Sequence, residues 1–276
     1  MNPHAAHSIS PLQLWRSLMR HRNLIIQMSK REIIGRYKGS LLGVFWSFVT
    51  PLLMLVVFTF VFGEIFQSKW PNSKATGGLD FAVPLFAGFL IYTFFAECIS
   101  RAPGLITGNV NYVKKVIFPL EILVVTSLLA ALFHLLAAYI ILIALILFSG
   151  WELTWSMLLL PVIFLPFMFL VLGFSWVLAA LGVYLRDISH IIGPILTAMM
   201  FLSPVFYSLD SVSQKFLFIY YLNPLTLIIE EGRSVLLYGN MPDLSLLAIY
   251  TIISLIFFWL GYSFFQKTRK GFADVL

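Results

Sequence analysis

The side chains that could carry out acid–base or nucleophilic chemistry are few in this sequence and widely separated. Only Glu230 and Glu231 form an adjacent pair of acids outside the apolar stretches, and no histidine stands near them in the chain. Neighbouring residues on a helix point about 100° apart, so the two carboxylates would not converge on one substrate atom. A surface role suits them better than catalysis.

Nucleotide hydrolysis and metal chemistry also lack their usual residues. The sequence has no Gly-Lys pair and therefore no G-x-x-x-x-G-K-[ST] loop to cradle phosphates. Its single cysteine, Cys98, excludes an intrachain disulfide and a cysteine metal cluster. We predict no catalytic residue, no metal site and no cofactor on this chain.

His134 is the ionisable residue that stands midway along an apolar stretch, whereas Glu97 and Glu121 fall near the ends of theirs. Such a histidine either takes part in function or donates a hydrogen bond to a carbonyl of a neighbouring helix. We favour the structural role, because no second ionisable group is expected beside it.

The composition is that of an integral membrane protein. Apolar residues make up 60% of the 276 residues and charged residues only 11%, whereas a soluble domain is nearer a quarter charged. The first forty residues hold seven Lys or Arg and no apolar core of a secretory signal. The first apolar stretch is therefore expected to remain as a membrane span.

An apolar helix needs about 20 residues to cross roughly 30 Å of hydrocarbon. Several stretches approach that length and predict an all-α membrane protein with six transmembrane helices, at residues 41–63, 81–99, 116–148, 154–181, 190–207 and 244–265. The third stretch is longer than one perpendicular crossing requires, so we expect it to tilt or to extend past the bilayer.

The cations predict the orientation of these spans. Fourteen of the 18 Lys and Arg fall on the side that holds both termini. By the positive-inside rule the termini are cytoplasmic. This topology also accounts for the pI near 9.4 without a nucleic-acid partner.

Two further segments have patterns of their own. In residues 1–40, cations recur at helical spacing opposite apolar side chains, which predicts an amphipathic helix at the membrane interface, with its cations near lipid headgroups: Arg16, Arg20 and Arg31. Residues 208–243 contain two short apolar runs split by Asn223-Pro224. We predict short re-entrant helices there, on the outer side, before the last span. Residues 266–276 form a cytoplasmic tail.

Four stretches, in this order, resemble the transmembrane permeases of ABC-2 type polysaccharide exporters, the family that moves lipid-linked O-antigen, capsule and teichoic-acid chains. They are "RYKGSLLGVFWSFVTPLLMLVVFTFVFG", "KKVIFPLEIL", "YLRDISHIIGPIL", and "SPVFYSLDSV" followed by "YYLNPLTLIIEEGR". The resemblance covers nearly the whole chain, residues 41–265 forming its membrane domain.

The resemblance implies a homodimer in the bacterial inner membrane, with two copies of a separate cytoplasmic ATP-binding subunit that carry ATP and Mg. It also implies that the loop at about 100–115 receives the movement of that subunit. The residues that we predict for this coupling are Arg101, Leu105, Ile106, Asn109, Tyr112 and Lys114. Replacing Leu105 and Ile106 with Asp is expected to uncouple ATP hydrolysis from export.

Aromatic faces are suitable surfaces for a sugar chain, since they stack on C–H groups without fixed hydrogen-bond partners. With the resemblance, this predicts a path for the polymer beside Tyr37, Trp46, Phe48, Tyr92, Phe94, Phe95, Phe201, Phe206 and Tyr207. Neighbours such as Phe94 and Phe95 diverge on a helix, so not all of them can face one path.

The leading hypothesis is thus a permease subunit for lipid-linked polysaccharide, with O-antigen as the first choice of cargo. Three alternatives stay open: an ABC-2 permease for another cargo such as capsule, teichoic acid, a drug or a lipid; a lipid-sugar transferase; and a gated channel that needs no ATP.

Overall fold

The computed structural model describes residues 9–67, 70–71, 79–114 and 118–276. Every regular element in these ranges is helical. The predicted start of the third span at residues 116–117 lies outside the described residues. The all-α prediction is confirmed for the part of the chain that the structure describes.

Two helices precede the first span: α1, Pro11–Arg20, and α2, Arg22–Arg36. The chain leaves helical geometry between them, at His21, with φ −102° and ψ 16°. Leu14 packs into the protein while Arg16 and Arg20 are exposed, so α1 has the predicted amphipathic division. The irregular residue His21 separates the cations of α1, Arg16 and Arg20, from Arg31 on α2.

The long helices follow in chain order. They are α3, Trp46–Phe58, which continues as a wider π-helical turn over Thr59–Ile65; α4, Leu79–Arg101; α7, Glu121–Ser149; α8, Leu160–Tyr184; and α12, Leu244–Thr268. Between them lie the shorter helices α5, Gly104–Thr107; α6, Val110–Lys114; α9, Ile188–Phe201; α10, Leu217–Leu222; α11, Pro224–Leu237; and after them α13, Phe272–Val275.

Five helical stretches of the described residues are long and apolar enough to cross a membrane. They match the predicted first, second, third, fourth and sixth spans. The predicted fifth span corresponds to α9, which has 14 residues and is therefore about 21 Å long, short of the roughly 30 Å of hydrocarbon. Helix length thus does not confirm a count of six.

The predicted fifth span also ends too late. Helix α9 stops at Phe201 rather than at residue 207. Pro204 has no N–H to continue the helix and disfavours helical geometry at Ser203. Phe206 and Tyr207 therefore lie in the turn after α9, and Pro204 ends a helix instead of kinking one.

Helix α4 is the most enclosed of the five stretches. In the most apolar part of α4, 78% of the residues are buried, against 11% in that of the stretch Gly43–Ile65. Helices α8 and α12 pack with backbone contact, since a Cβ on Gly261 would stand 2.2 Å from the carbonyl oxygen of Gly173. The first stretch, by contrast, packs against the bundle mainly on one side, where it contacts α4 and α7.

Helices α1 and α13, the first and last helices of the described residues, lie at one end of the bundle. Leu14 of α1 and Phe272 of α13 share a buried cluster with Leu105, Ile106 and Trp176. We call this the termini end, and the opposite end, which holds Trp70, Phe81 and Trp151, the far end. The two predicted short helices at 208–243 are present as α10 and α11, with Asn223 capping α11 by accepting a hydrogen bond from Leu225 N–H.

Candidate functional site

A cleft opens between α2 and the first three long stretches, toward the termini end. Its volume is about 370 Å³. The first stretch contributes Trp46, Ser47, Thr50, Pro51 and Met54, α4 contributes Phe89, Leu90, Thr93, Phe94 and Glu97, and α7 contributes Ala131, His134, Leu135 and Ala138. Arg36 and Tyr37, from the end of α2, complete the wall. Three regions that are distant in sequence, residues 36–54, 89–97 and 131–138, therefore build one site.

Helix α2 reaches the cleft by running along α7. Ser29 Oγ lies 3.5 Å from the carbonyl oxygen of Thr126, and Arg36 contacts His134. These contacts are seven residues apart on α2 and eight on α7, so the two helices run side by side. A helix lying flat across the ends of the spans would touch α7 at one point only. Helix α2 therefore lies along α7 and not across the ends of the spans, and its place at the membrane interface stays a prediction.

A charged cluster forms the polar part of the cleft. Arg36 Nη2 lies 2.9 Å from Glu97 Oε1, and His134 Nδ1 lies 2.9 Å from the same carboxylate oxygen. Arg36 Nη1 is also 2.9 Å from His134 Nδ1. Because Nδ1 carries at most one proton, its donation to Glu97 and its acceptance from Arg36 exclude one another. The negative charge of the Glu97 carboxylate favours the arrangement in which His134 Nδ1 carries the proton and donates it to Glu97.

His134 was predicted to contact a backbone carbonyl without an ionisable partner. That prediction is wrong, since Glu97 and Arg36 both reach it. Tyr37 also packs its ring edge-on to the imidazole, at 5.9 Å between centroids. Arg36 reaches His134 because α2 runs between α4 and α7 and ends there, which places its last cation beside Glu97.

A second ion pair ties α2 to the end of α4. Arg101 Nη2 lies 2.5 Å from Glu32 Oε1. Burial raises the pKa of the Glu32 carboxyl, and the neighbouring Arg101 charge opposes that rise. Arg31 donates to Tyr112 Oη at 3.0 Å, so α6 is tied to α2 as well. Helix α2 thus links the cleft to the loop at 100–115.

The predicted coupling residues fall into two groups. Leu105 and Ile106 are buried, and Asn109 donates to the carbonyl of Leu105. Arg101, Tyr112 and Lys114 have at least part of their surface exposed. Replacing Leu105 or Ile106 with Asp would place a charge in the core, so the proposed uncoupling test would report on folding instead. The last residue of the predicted coupling loop, 115, lies outside the described residues.

The aromatic residues predicted to line a sugar path are not brought together. Tyr37, Trp46 and Phe94 line the cleft. Tyr92 and Phe95 are buried among the helices, with Tyr92 Oη donating to the carbonyl of Leu196. Phe48 packs near Phe45, while at the far end lie Phe201, Phe206 and Tyr207. Their part in a cargo path stays a prediction.

The pairing of Arg36 with Glu97 was missed because the two residues lie 61 positions apart in the sequence. One signal was present: Glu97 and Arg101 are four residues apart at the end of an apolar helix, and Arg36 and Glu32 are four apart on α2. Two helices with opposite charges at matching spacing can pair as a ladder. Nothing in the spacing says that these two helices meet.

Known proteins resemble this chain in sequence over most of its length. The sequence model of the ABC-2 type transporter family matches residues 23–237. A protein of Myxococcus xanthus, named O-antigen export system permease protein RfbA, is 27% identical over 265 residues, which cover 95% of this chain and 99% of that protein. A protein of the same name from Klebsiella pneumoniae is 23% identical over 256 residues, covering 92% and 95%.

A further relative, the capsule polysaccharide export inner-membrane protein CtrC of Neisseria meningitidis, is 26% identical over 206 residues, which cover 73% of this chain and 74% of that protein. The family match alone spans most of the 276 residues, from α2 to the end of α11. This chain therefore belongs to the ABC-2 type transporter family, as one of its membrane permeases.

Proposed function

We propose that this chain is the membrane subunit of an ATP-driven exporter that moves lipid-linked O-antigen across the bacterial inner membrane. The observation that carries the proposal is the similarity over nearly the full length to permeases named for O-antigen export. Matching over both ends of the chain includes the segments that build the cleft, not only the apolar helices that many membrane proteins share.

The cleft fits a transport role better than a catalytic one. Its charged groups neutralise one another in an Arg36–Glu97–His134 cluster, while its walls are aromatic and apolar. Trp46, Tyr37 and the Thr50 and Thr93 side chains offer stacking faces and hydroxyl groups, which suit a sugar or a lipid-linked sugar. A catalytic reading needs a nucleophile beside a base, and this lining does not provide one.

The proposal includes a homodimer with two cytoplasmic ATP-binding subunits, which hold ATP and Mg. Both termini are cytoplasmic, so the termini end faces those subunits. The surface available to them in the loop is formed by exposed residues, Gly104, Asn111 and Lys114 among them. In this arrangement α9 and the turn that follows it form the fifth of six membrane crossings.

The test uses cells that make lipid-linked O-antigen but lack their own permease and its ATPase. This chain is expressed with the ATPase that copurifies with it, and surface O-antigen is measured by immunoblot and by labelling of intact cells. Restored surface O-antigen is expected, and its loss with an ATPase variant that cannot hydrolyse ATP. Surface polymer that persists with that variant would overturn the ATP-driven mechanism.

Capsule export is the second candidate, because one relative is named for it. A matched strain that lacks its capsule permease separates the two cargoes. Restored capsule with no surface O-antigen would replace the proposed cargo. Restored drug resistance with neither polymer at the surface would remove polysaccharide export altogether, and sugar transfer by the purified chain alone would favour the transferase alternative.

A further inference from the structure

The end of α9 leaves backbone carbonyls without helical partners. The helix stops at Phe201, and the turn that follows reaches the level of Pro84, only a few residues from the far end of α4. At that depth water is scarce, and each unsatisfied backbone group costs several kcal/mol in hydrocarbon. The fold must therefore supply donors from elsewhere.

Side chains supply most of those donors. Tyr207 Oη donates to the carbonyl of Phe201, and Asn223 Nδ2 donates to that of Leu202 at 3.0 Å. The Ser203 carbonyl accepts from Val205 N–H. Arg233 donates to the next two carbonyls, with Nη1 bonded to that of Pro204 and Nη2 2.7 Å from that of Val205. Asn223 and Arg233 both belong to the α11 segment, so one helix satisfies most of the turn.

Arg233 binds α4 at the same time. Its Nε donates to the Pro84 carbonyl at 2.8 Å, and its guanidinium lies 4.4 Å from the centre of the Trp70 ring. Gly88, one turn after Pro84, makes the approach possible, since a Cβ there would stand 2.3 Å from Nη2. One side chain thus joins α11, α4, the turn after α9 and the segment before α4.

The guanidinium is only 2% exposed, yet it stays charged. Burial lowers the pKa of Arg233 to about 10, and Glu230, whose Oε1 is 3.3 Å from Nη1, opposes that fall. At neutral pH the side chain is therefore a cation held mainly by carbonyl oxygens. Such a group is satisfied only when all its partners keep their places.

The turn that Arg233 holds carries Phe206. The Phe206 ring stacks on Phe62 at 5.4 Å and meets Phe58 edge-on at 5.6 Å. Both partners belong to the first stretch, and both also contact α4, with Phe58 edge-on to Phe89 at 4.8 Å and Phe62 stacked on Phe81 at 5.4 Å. The turn and α4 together therefore hold the far half of that stretch.

We propose that Arg233 is a positioning residue of the export path: it clamps the turn Leu202–Val205 against α4 and thereby fixes Phe206 between Phe58 and Phe62 at the far end. The link to export rests on the proposed function. The clamp itself does not, because it is defined by contacts within the chain.

The experiment measures how often the turn opens. Val205 is fully buried and lies next to the clamp, so Val205→Cys introduces a small reporter thiol. Native Cys98, which is 2% exposed in the same core, serves as an internal reference for general loosening. The full chain is labelled in native membranes with a polyethylene-glycol maleimide, and the two thiols are distinguished by peptide mass.

Three variants are compared on that background: Arg233→Met, Arg233→Lys and Lys215→Met. Lys215 is an exposed cation of the neighbouring segment and controls for loss of charge. We expect labelling at position 205 to rise about tenfold in Arg233→Met, because the freed carbonyls favour the opened state. Arg233→Lys keeps the charge but has fewer donors, so its labelling at position 205 is expected to lie between that of the parent and that of Arg233→Met. Labelling in Lys215→Met is expected to match the parent.

Labelling at position 205 that is unchanged in Arg233→Met, or that rises in step with labelling of Cys98, would overturn the proposal. Export is measured in the same strains. A parent that exports nothing while the labelling follows the expected order would contradict the proposed function and leave the clamp standing. Normal export in Arg233→Met, with the turn opened, would remove the clamp from the path.

Discussion

The two ends of α4 are both held by an arginine from another part of the chain, but in opposite ways. At the termini end Arg36 pairs with the Glu97 carboxylate, and the Arg36 side chain is 37% exposed. At the far end Arg233 is 2% exposed and bonds mainly to the carbonyls of Pro84, Pro204 and Val205.

The difference decides which end can move. A partly exposed ion pair exchanges readily for water, so opening it costs about 1 kcal/mol or less. Withdrawing a buried guanidinium leaves several carbonyls and a cation without partners, each costing about 1–3 kcal/mol. The contacts at the termini end therefore suit a hinge, and those at the far end suit an anchor.

The largest effect is expected from Gly88→Ala, which tests the anchor without changing Arg233. The added methyl group overlaps the guanidinium, so we expect a loss of about 3 kcal/mol of stability from overpacking and broken hydrogen bonds. The measurement is thermal unfolding of the purified protein in detergent.

Gly193→Ala is the matched control, because Gly193 lies inside α9 and a Cβ there meets nothing within 4 Å. There the higher helix propensity of alanine is expected to leave stability unchanged or to raise it by up to about 1 kcal/mol. Equal effects of the two substitutions would mean that the space at Gly88 is not needed by Arg233.

A smaller effect is expected from Glu97→Gln, which tests the hinge. Arg36 and His134 lose their shared carboxylate, so α2 should separate from α4 and α7 more often. We expect cleavage by trypsin within α2, at the exposed Lys30 and Arg31, to become about fivefold faster, as local opening grows. Glu152→Gln changes an exposed acid outside these contacts and should leave cleavage unchanged. Unchanged cleavage in Glu97→Gln would show that the cluster does not hold α2.

The smallest effect is expected from the Glu32–Arg101 pair, which is 17% and 30% exposed. Glu32→Arg and Arg101→Glu alone should each speed hydrogen exchange of the α2 backbone amides by about twofold to threefold, because like charges then face one another. Hydrogen exchange is measured here because Glu32→Arg adds a trypsin site. The double variant restores opposite charges and should return toward the parent. Added salt should reduce the differences. A double variant as labile as the sum of the single ones would exclude direct pairing.

Much of the helix pattern could be read from the sequence. Runs of apolar residues at 41–63, 81–99 and 244–265 match helices of the structure, because hydrocarbon demands apolar side chains and internally bonded backbone. Asn223 and Pro224 marked the start of α11 for an equally local reason, a side-chain cap followed by a residue suited to the first helical turn.

The sequence by itself determined which segments are helical and that the chain belongs in a membrane, since both depend on residue type and on neighbours a few positions away. Only the tertiary structure decided that α2 runs along α7, that Leu105 and Ile106 are core residues, and that His134 has ionic partners. It also revealed Arg233 as a buried clamp, where its position in the sequence suggested a cation on the outer side. Charged side chains pair through space, and local spacing does not identify a partner that lies 61 or 149 residues away.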